Sequence, residues 1–477
     1  MLTNLDFISP GQTWPPPSER DRLDRYAYNR ELFSNTCDSK YKEQAERIGR
    51  VIGSYDKLIS YHIALNYPKR ISTKTADLLL GEPPKIDAGD QTDVLDTIAA
   101  RSSLIGGTLR EAVLDVSMCG DGLLYARRTD EGAVVDVAAP ETWFPVVSPD
   151  NVKQITHHVL GWTYDEGSGD SKTTYLRLCI HERGQYTTRT HILDGGTIGA
   201  QCEDDNIVQT GLDDFAILHI PNTTTSRDLF GQDDYADIDS IVSELEVRLA
   251  QIAKVLDKHT EPTMQGPACA LQDDGNGNKE FPAGNYVINQ DEQGNTANVG
   301  YLTWDAQLAA NFTFVDKLID QLYTQSEMGA AIFGDTANKS GSIPSGTALR
   351  RMMISPLAKV ARIRGKLDVA LKKALRMAAL LDGVRIDDIS ITWQDGLPDD
   401  PKESAEIMQI RTGNKATISQ YSAIQQLDGR TDADIEAELE LIRQDDEIAS
   451  GGWAQATDTS PLDDGIIAEG DTESGDA

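Results

Sequence analysis

TALRRMMISPLAKVARIRGKLDVALKKALRM, residues Thr347–Met377, holds nine Lys or Arg (Arg350, Arg351, Lys359, Arg362, Arg364, Lys366, Lys372, Lys373 and Arg376) against one acid, Asp368. The remainder of the 477-residue chain carries 35 basic and 76 acidic groups, so a segment of net charge +8 sits in a body of −41. A cationic segment in so anionic a chain lies most simply against acidic surface, of its own chain or of a neighbouring copy. It also has an apolar stripe. Leu349, Met353, Val360, Ile363, Leu367, Leu371, Ala374 and Met377 follow mostly three- and four-residue steps, with Arg351, Arg362, Lys366 and Lys373 largely off them. The spacing predicts an amphipathic helix from Gly346 to Leu381, about 54 Å long, kinked or interrupted by Pro356 after Ser355.

Downstream, the reading is a strand at Ile389–Trp393, a turn at Asp395-Gly396-Leu397-Pro398 and two or three short helices between Pro401 and Ile448. Gly451–Ala477, with seven acids and no Lys or Arg, is expected to be disordered. Upstream lies Phe333–Ser345, rich in Gly, Ser, Asn and Thr, preceded by a helical stripe of Leu308, Phe312, Val315, Ile319 and Leu322. A matching stripe occupies Ile238, Ile241, Leu245, Leu249, Ile252 and Val255 or Leu256. Between the two helices His259–Trp304 offers strands only at Tyr286–Ile288 and Val299–Thr303, around the turn Asp273-Asp274-Gly275-Asn276-Gly277-Asn278. Leu123–Arg127, Ala133–Val137, Trp143–Val147, Ile155–Tyr164, Thr173–His181 and Tyr186–Leu193 read as an antiparallel meander. Helices are predicted at Asp21–Phe33, Tyr41–Ser54, Ser72–Leu80 and Val94–Met118. The fold class is α+β in several modules.

Composition excludes some functions. No apolar run approaches a membrane span and the first twenty residues lack a basic-then-apolar leader, so a soluble protein without a signal peptide is expected. Five separated cysteines fit reduced thiols. A formal charge of −33 argues against general nucleic-acid binding, which needs clustered cations. Asp is about twice as frequent as Glu, a bias that resembles proteins of high-salt cytoplasm, although an ordinary acidic protein would also fit. G-x-x-x-x-G-K-[ST], G-x-S-x-G and H-E-x-x-H are absent. The turn with Asp274, Asn276 and Asn278 is similar to a calcium loop but has Lys279 and Asn285 where Gly and Glu are required, so a plain hairpin turn is the better reading. Asp233, Asp234, Asp237 and Asp239 precede a helix stripe, where acids oppose the positive helix start. His157, His158, His181 and His191 are read as surface or half-buried, and no cofactor, metal or catalytic constellation is predicted.

Four stretches in register resemble the portal proteins of tailed double-stranded DNA viruses, in the family typified by the portal of phage SPP1. They are Leu78-Leu79-Leu80-Gly81-Glu82-Pro83-Pro84-Lys85-Ile86; Ile220-Pro221-Asn222 with Phe230-Gly231; Ser345-Gly346-Thr347-Ala348-Leu349; and Ile391-Thr392-Trp393-Gln394-Asp395-Gly396-Leu397-Pro398. The resemblance implies an N-terminal arm (1–24), an α+β wing (25–236), stem helices (237–258 and 305–327), an α/β clip (259–304), a tunnel-loop region (328–345), the long basic helix with a wing strand (346–400), a helical crown (401–450) and an acidic tail (451–477).

By the same resemblance the subunits form a dodecameric ring at one capsid vertex of the virion, assembled in the host cytoplasm. Its partners would be terminase, head-completion or adaptor proteins, and the major capsid and scaffold proteins, with double-stranded DNA passing through without sequence specificity and no membrane involved. The tunnel loop would present Asp335, Asn338, Lys339, Ser340 and Ser342 to DNA, the subunit interface would use Arg351, Arg362, Lys366 and Lys373, and clip docking would use Asp273, Asp274, Asn276, Asn278 and Lys279. A non-portal virion scaffold or adaptor, or a metal-dependent hydrolase, are the other classes. The first would not need this order of helix, β-excursion, helix, loop and long helix. The second needs carboxylates converging on one pocket.

Overall fold

The structure is a computed structural model that describes residues 1–35, 63–167, 172–260, 264–267, 272–273, 279–280, 286–288, 300–301, 308–334, 350–394, 401–413, 416–428 and 432–454. The chain divides into two units, Met1–Leu397 and Pro398–Ala477.

The first unit opens with helices α1 (Arg20–Ser34) and α2 (Tyr67–Leu80), the short strand β1 (Lys85–Asp87), and helices α3 (Thr92–Arg101) and α4 (Leu109–Cys119). α2 starts five residues before its expected position because Asn66 caps it, its side-chain oxygen accepting from the Lys69 N–H, and Pro68 is tolerated in the first turn. The single helix expected over Val94–Met118 is two. Ser103 adopts the left-handed conformation and a π-turn at Leu104–Thr108, containing Gly106 and Gly107, separates α3 from α4. The helix expected at Tyr41–Ser54 lies outside the described residues.

Ten strands follow or flank these helices: β2 (Asp121–Thr129), β3 (Gly132–Val137), β4 (Trp143–Ser148), β5 (Asn151–Glu166), β6 (Thr173–Glu182), β7 (Gln185–Asp194), β8 (Thr197–Gln201), β9 (Asn206–Gln209) and β10 (Ile217–Pro221), with β1 upstream. All six strands expected from the alternating pattern form, but not as one meander. β4 to β8 run in order in an antiparallel sheet with β9 against β7, while β2 and β3 join β10 in a second sheet. Leu123, Trp143, Leu160, Cys179 and Ile217 form an apolar cluster with residues from both sheets. The first nineteen residues are part of this body: Leu2 bridges Val146, and Phe7, Ile8 and Trp14 are buried with Phe144, Val159 and Leu178.

α5 (Asp239–Thr260) and α6 (Leu308–Gln325) carry the two apolar stripes, and Val242, Leu245 and Ile252 share a cluster with Val315 and Leu322. The described pieces between them are two-to-three-residue strands: β11 (Met264–Gly266) between β14 (Tyr286–Ile288) and β15 (Gly300–Tyr301), and β12 (Gln272–Asp273) paired with β13 (Lys279–Glu280).

The basic helix, α7, runs Ile354–Leu381. The break comes at Met353, before the helix starts, and not after Ser355; Pro356 falls in the first turn, where its missing N–H costs no helical bond. Its 28 residues give about 42 Å instead of 54. The stripe holds: Val360, Ile363, Leu367, Leu371, Ala374 and Met377 are buried with α3, α4 and β2 side chains. Burying each of the Leu and Ile side chains contributes roughly 1.5–3 kcal/mol, so packing, not charge, fixes this face. β16 (Ser390–Thr392) then pairs antiparallel with β1.

The second unit contains α8 (Pro401–Thr412), α9 (Gln420–Asp428) and α10 (Asp432–Ala454). α10 runs four residues into the stretch expected to be disordered; residues 455–477 lie outside the described residues. No helix among the described residues is long and apolar enough to cross a membrane.

Candidate functional site

The cations of α7 meet acids and carbonyls of their own chain. Arg362 pairs with Glu327, just past α6; Lys366 donates to the Asn222 carbonyl and, at 3.4 Å, to Thr224 Oγ1; Lys373 lies 3.1 Å from Asp214. Arg364 donates to the Gln394 carbonyl and Arg376 to that of Asp387, while Lys372 pairs with Asp368 one turn away. Of the four residues expected at a subunit interface, Arg351 is exposed, and the other three spend part of their donor capacity within the chain. Arg362 and Lys373 remain about half exposed, which leaves surface for a second contact.

One cation of the stretch is not a surface group. Lys359 is only 4% exposed, and its ammonium sits 3.0 Å from Asp234 and 3.2 Å from the Ser326 carbonyl. Asp234 also accepts from Ser117 Oγ at 2.6 Å and Asn222 Nδ2 at 2.8 Å, and Ser72 bridges Ser117 to the Tyr235 hydroxyl. This knot joins the residues before α5, the end of α6 and the first turns of α7. Asp233 and Asp239, expected simply to oppose a helix start, are both paired with Arg25 of α1, at 2.9 and 3.4 Å. Arg25 carries no sequence signal for this role, being about 210 residues away.

The loop residues Asp335, Asn338, Lys339, Ser340 and Ser342 lie outside the described residues, as do Asp274, Asn276 and Asn278. Asp273 and Lys279 are register partners in the antiparallel β12–β13 pair, and the turn expected between them lies outside the described residues.

Three of the four histidines depart from expectation, whereas His157 is half-buried, as expected. His158, His181 and His191 are at most 3% exposed: the register pairs His158 with His181 on one face of the sheet, where they meet Phe215 and Tyr125, while His191, paired with Leu176, lies on the opposite face. His158 accepts from Trp143 Nε1 at 3.1 Å, and His219, which sequence reasoning missed, donates to or accepts from fully buried Asp121 at 2.6 Å. Asp121 also takes the Tyr26 hydroxyl at 2.5 Å. No group of three or more His, Cys, Asp or Glu that could hold a metal occurs among the described residues.

Burial pushes the His158 imidazole down to about 3, helped by His181 and His219, and burial lowers His181 to about 4. Both rings are therefore neutral inside the fold. The unfolded chain takes up these protons first as pH falls below about 6.5, so stability is intact above that value and is lost progressively towards pH 4 and pH 3. At pH 5 each ring should cost about 2 kcal/mol. Asp115, lifted by burial to about 7 against the pull of Arg30, acts in the opposite direction, so the test compares variants. His158→Asn keeps an acceptor for Trp143 Nε1 but cannot titrate. Its loss of stability between pH 7.5 and pH 5 should be smaller than the parent's by about 2 kcal/mol, read from urea midpoints; equal losses would mean that His158 is not buried neutral.

The sequence profile of a family described as phage portal protein, SPP1 Gp6-like, matches residues 60–451. No curated protein sequence matches the chain. Among solved structures, the virion of a native gene transfer agent particle contains a chain with a TM-score of 0.42 at 12% identity, over 76% of this chain and 89% of that one. Chains of the native neck computed with C12 symmetry and of the empty neck computed with C6 symmetry give TM-scores of 0.40 and 0.43 at the same identity and coverage.

Proposed function

The chain belongs to the SPP1 Gp6-like family of phage portal proteins, structural and not catalytic components of the virion at the portal vertex, and from that premise we propose that copies of it close into a dodecameric ring around a DNA channel. α5 and α6 would form the stem, the short strands between them the clip on which head-completion proteins dock, Asp335 to Ser342 the loop facing DNA, and α8 to α10 the crown. Terminase would drive DNA through this channel during packaging, and the same channel would serve ejection. The observation that carries the reading is the family match over residues 60–451, which takes in α5, the β-excursion, α6 and α7 in that order. Electron microscopy of the purified chain tests it: a ring with a central channel is expected, and a monomer or small open oligomer at every salt concentration would overturn it.

Salt should govern that ring. Each copy brings −33, and the screening length grows from roughly 3 Å at 1 M to about 10 Å at 0.1 M. Repulsion between copies should loosen the ring as salt is removed, and the Asp excess fits a virus whose host holds molar salt. Sedimentation between about 1 M and 0.1 M salt is expected to show rings giving way to smaller species. A ring of unchanged mass at both ends would mean that apolar and short-range polar contacts dominate, and would remove the support for a halophilic host.

A further inference from the structure

A cavity of about 500 Å³ in the first unit gathers a local excess of positive charge in a chain of net charge −33. Lys153, at the start of β5, and Arg183, after β6, meet Lys366 and Lys373 of α7 around it, with Asp214 and Asp228 as its acids. Lys373 and Arg183 share Asp214, at 3.1 and 3.9 Å. Asp228 is taken up by Thr225 Oγ1 at 2.6 Å. Lys153 and Lys366 have no carboxylate within ion-pair distance among the described residues. Both donate instead to one loop, Lys153 to the Thr225 carbonyl at 2.6 Å and Lys366 to that of Asn222. Burial, and then the Lys153 charge, lower the Lys366 amine below the ordinary lysine range. Two ammonium groups are thus held near one another with no carboxylate in ion-pair contact among the described residues, Asp121 acting on Lys366 without an ion-pair contact, beside Val369, which is 55% exposed on the cavity wall.

We propose that this cavity receives one or two carboxylate side chains of the neighbouring copy, with Lys153, Arg183, Lys366 and Lys373 as the cationic half of the contact. The proposal rests on the ring reading above and deepens it. A surplus of positive charge cannot face its own image, so a two-fold pairing of this patch is disfavoured, and a different, acidic patch must meet it. That makes the contact head-to-tail, the type that closes rings. DNA phosphate is the weaker candidate, because a concave site for one or two side chains does not follow a duplex, and the surrounding charge of −33 repels it.

Zero-length carbodiimide coupling of rings assembled from mixed isotope-labelled and unlabelled chains tests this directly. Lys153 or Lys366 should be joined to an Asp or Glu of the other isotope. The pair Lys153→Gln and Lys366→Gln should raise the chain concentration needed for rings roughly tenfold or more, while Lys153→Arg with Lys366→Arg should not. Val369→Glu removes no hydrogen bond; its carboxylate should fill the cavity in place of the neighbour's, weakening assembly to a similar degree with an unchanged unfolding midpoint. Rings that form normally with the Gln pair and with Val369→Glu, or couplings confined to one chain, would overturn the proposal and leave the ring reading standing. Protection of both lysines from acylation by a short DNA duplex, without cross-chain coupling, would assign the cavity to phosphate and also overturn it. Failure of the parent to form rings at any salt would overturn the ring reading itself.

Discussion

Lys359→Met is expected to lower the stability of the unassembled chain by about 3–5 kcal/mol, because it leaves a buried carboxylate without its countercharge. The ammonium is 4% exposed and 3.0 Å from Asp234, whose remaining partners, Ser117 and Asn222, are neutral donors. Methionine keeps most of the volume of the lysine stem, so lost packing contributes little. The Ser326 carbonyl also loses its 3.2 Å donor, which unties the end of α6 from α7. Asp234→Asn in the same chain should recover most of the loss, since neutralising both members removes the unpaired charge. Urea unfolding in dilute chain at fixed salt measures both. A single-variant loss below about 1 kcal/mol would mean that water reaches the pair and that it behaves like a surface bridge.

Lys359 also marks where the sequence stops being informative. Its neighbours on the stripe, Val360, Ile363 and Leu367, were legible because a buried helix face repeats every three to four residues. Six strands were legible for the same kind of reason, a period of two with turn residues between. A buried lysine has no such period: it looks like the other eight cations of the stretch until Asp234, 125 positions earlier, is placed beside it. The same holds for Arg25 with Asp233, and for the buried histidines, since alternation says which residues of one strand share a face but not what covers it. The split of Val94–Met118 left a trace in Gly106-Gly107, outweighed by the apolar spacing on either side. Pro356 looks like a break from spacing alone, yet a proline in a first turn costs nothing, and only the position of Met353 decides between the two. Of the candidate site, the charge asymmetry of α7 was legible, whereas Lys153 and Arg183 reach the same cavity from strand ends more than 180 residues away.

Gly231→Ala should be at least as damaging, for a steric reason. A Cβ at Gly231 would lie 2.0 Å from the Gly120 carbonyl oxygen and 2.6 Å from the Asn222 nitrogen, both backbone atoms that cannot swing aside. Gly120 has the reciprocal problem: its φ of +85° is one that other residues rarely adopt, and a Cβ there would meet the Gly231 oxygen at 2.3 Å. Two backbone segments cross at this point. The Asn222 N–H donates to Gly120 O at 2.7 Å, and the Gly231 N–H to Asp121 Oδ1 at 2.9 Å. Through them the α4–β2 corner is pinned to the chain that leads into α5, which gives Phe230-Gly231 a physical reason to be part of the portal resemblance. Separating the segments enough for one methyl group breaks these bonds and exposes Asp121, so a loss of about 3 kcal/mol or more is expected. Gly365 provides the opposite case, an open position on α7 with nothing within 4 Å of an added Cβ. Gly365→Ala should therefore stabilise the chain by about 0.5–1 kcal/mol. Urea midpoints of the two variants must fall on opposite sides of the parent's; a Gly231→Ala chain that unfolds with the parent would mean that the two backbones do not cross this closely.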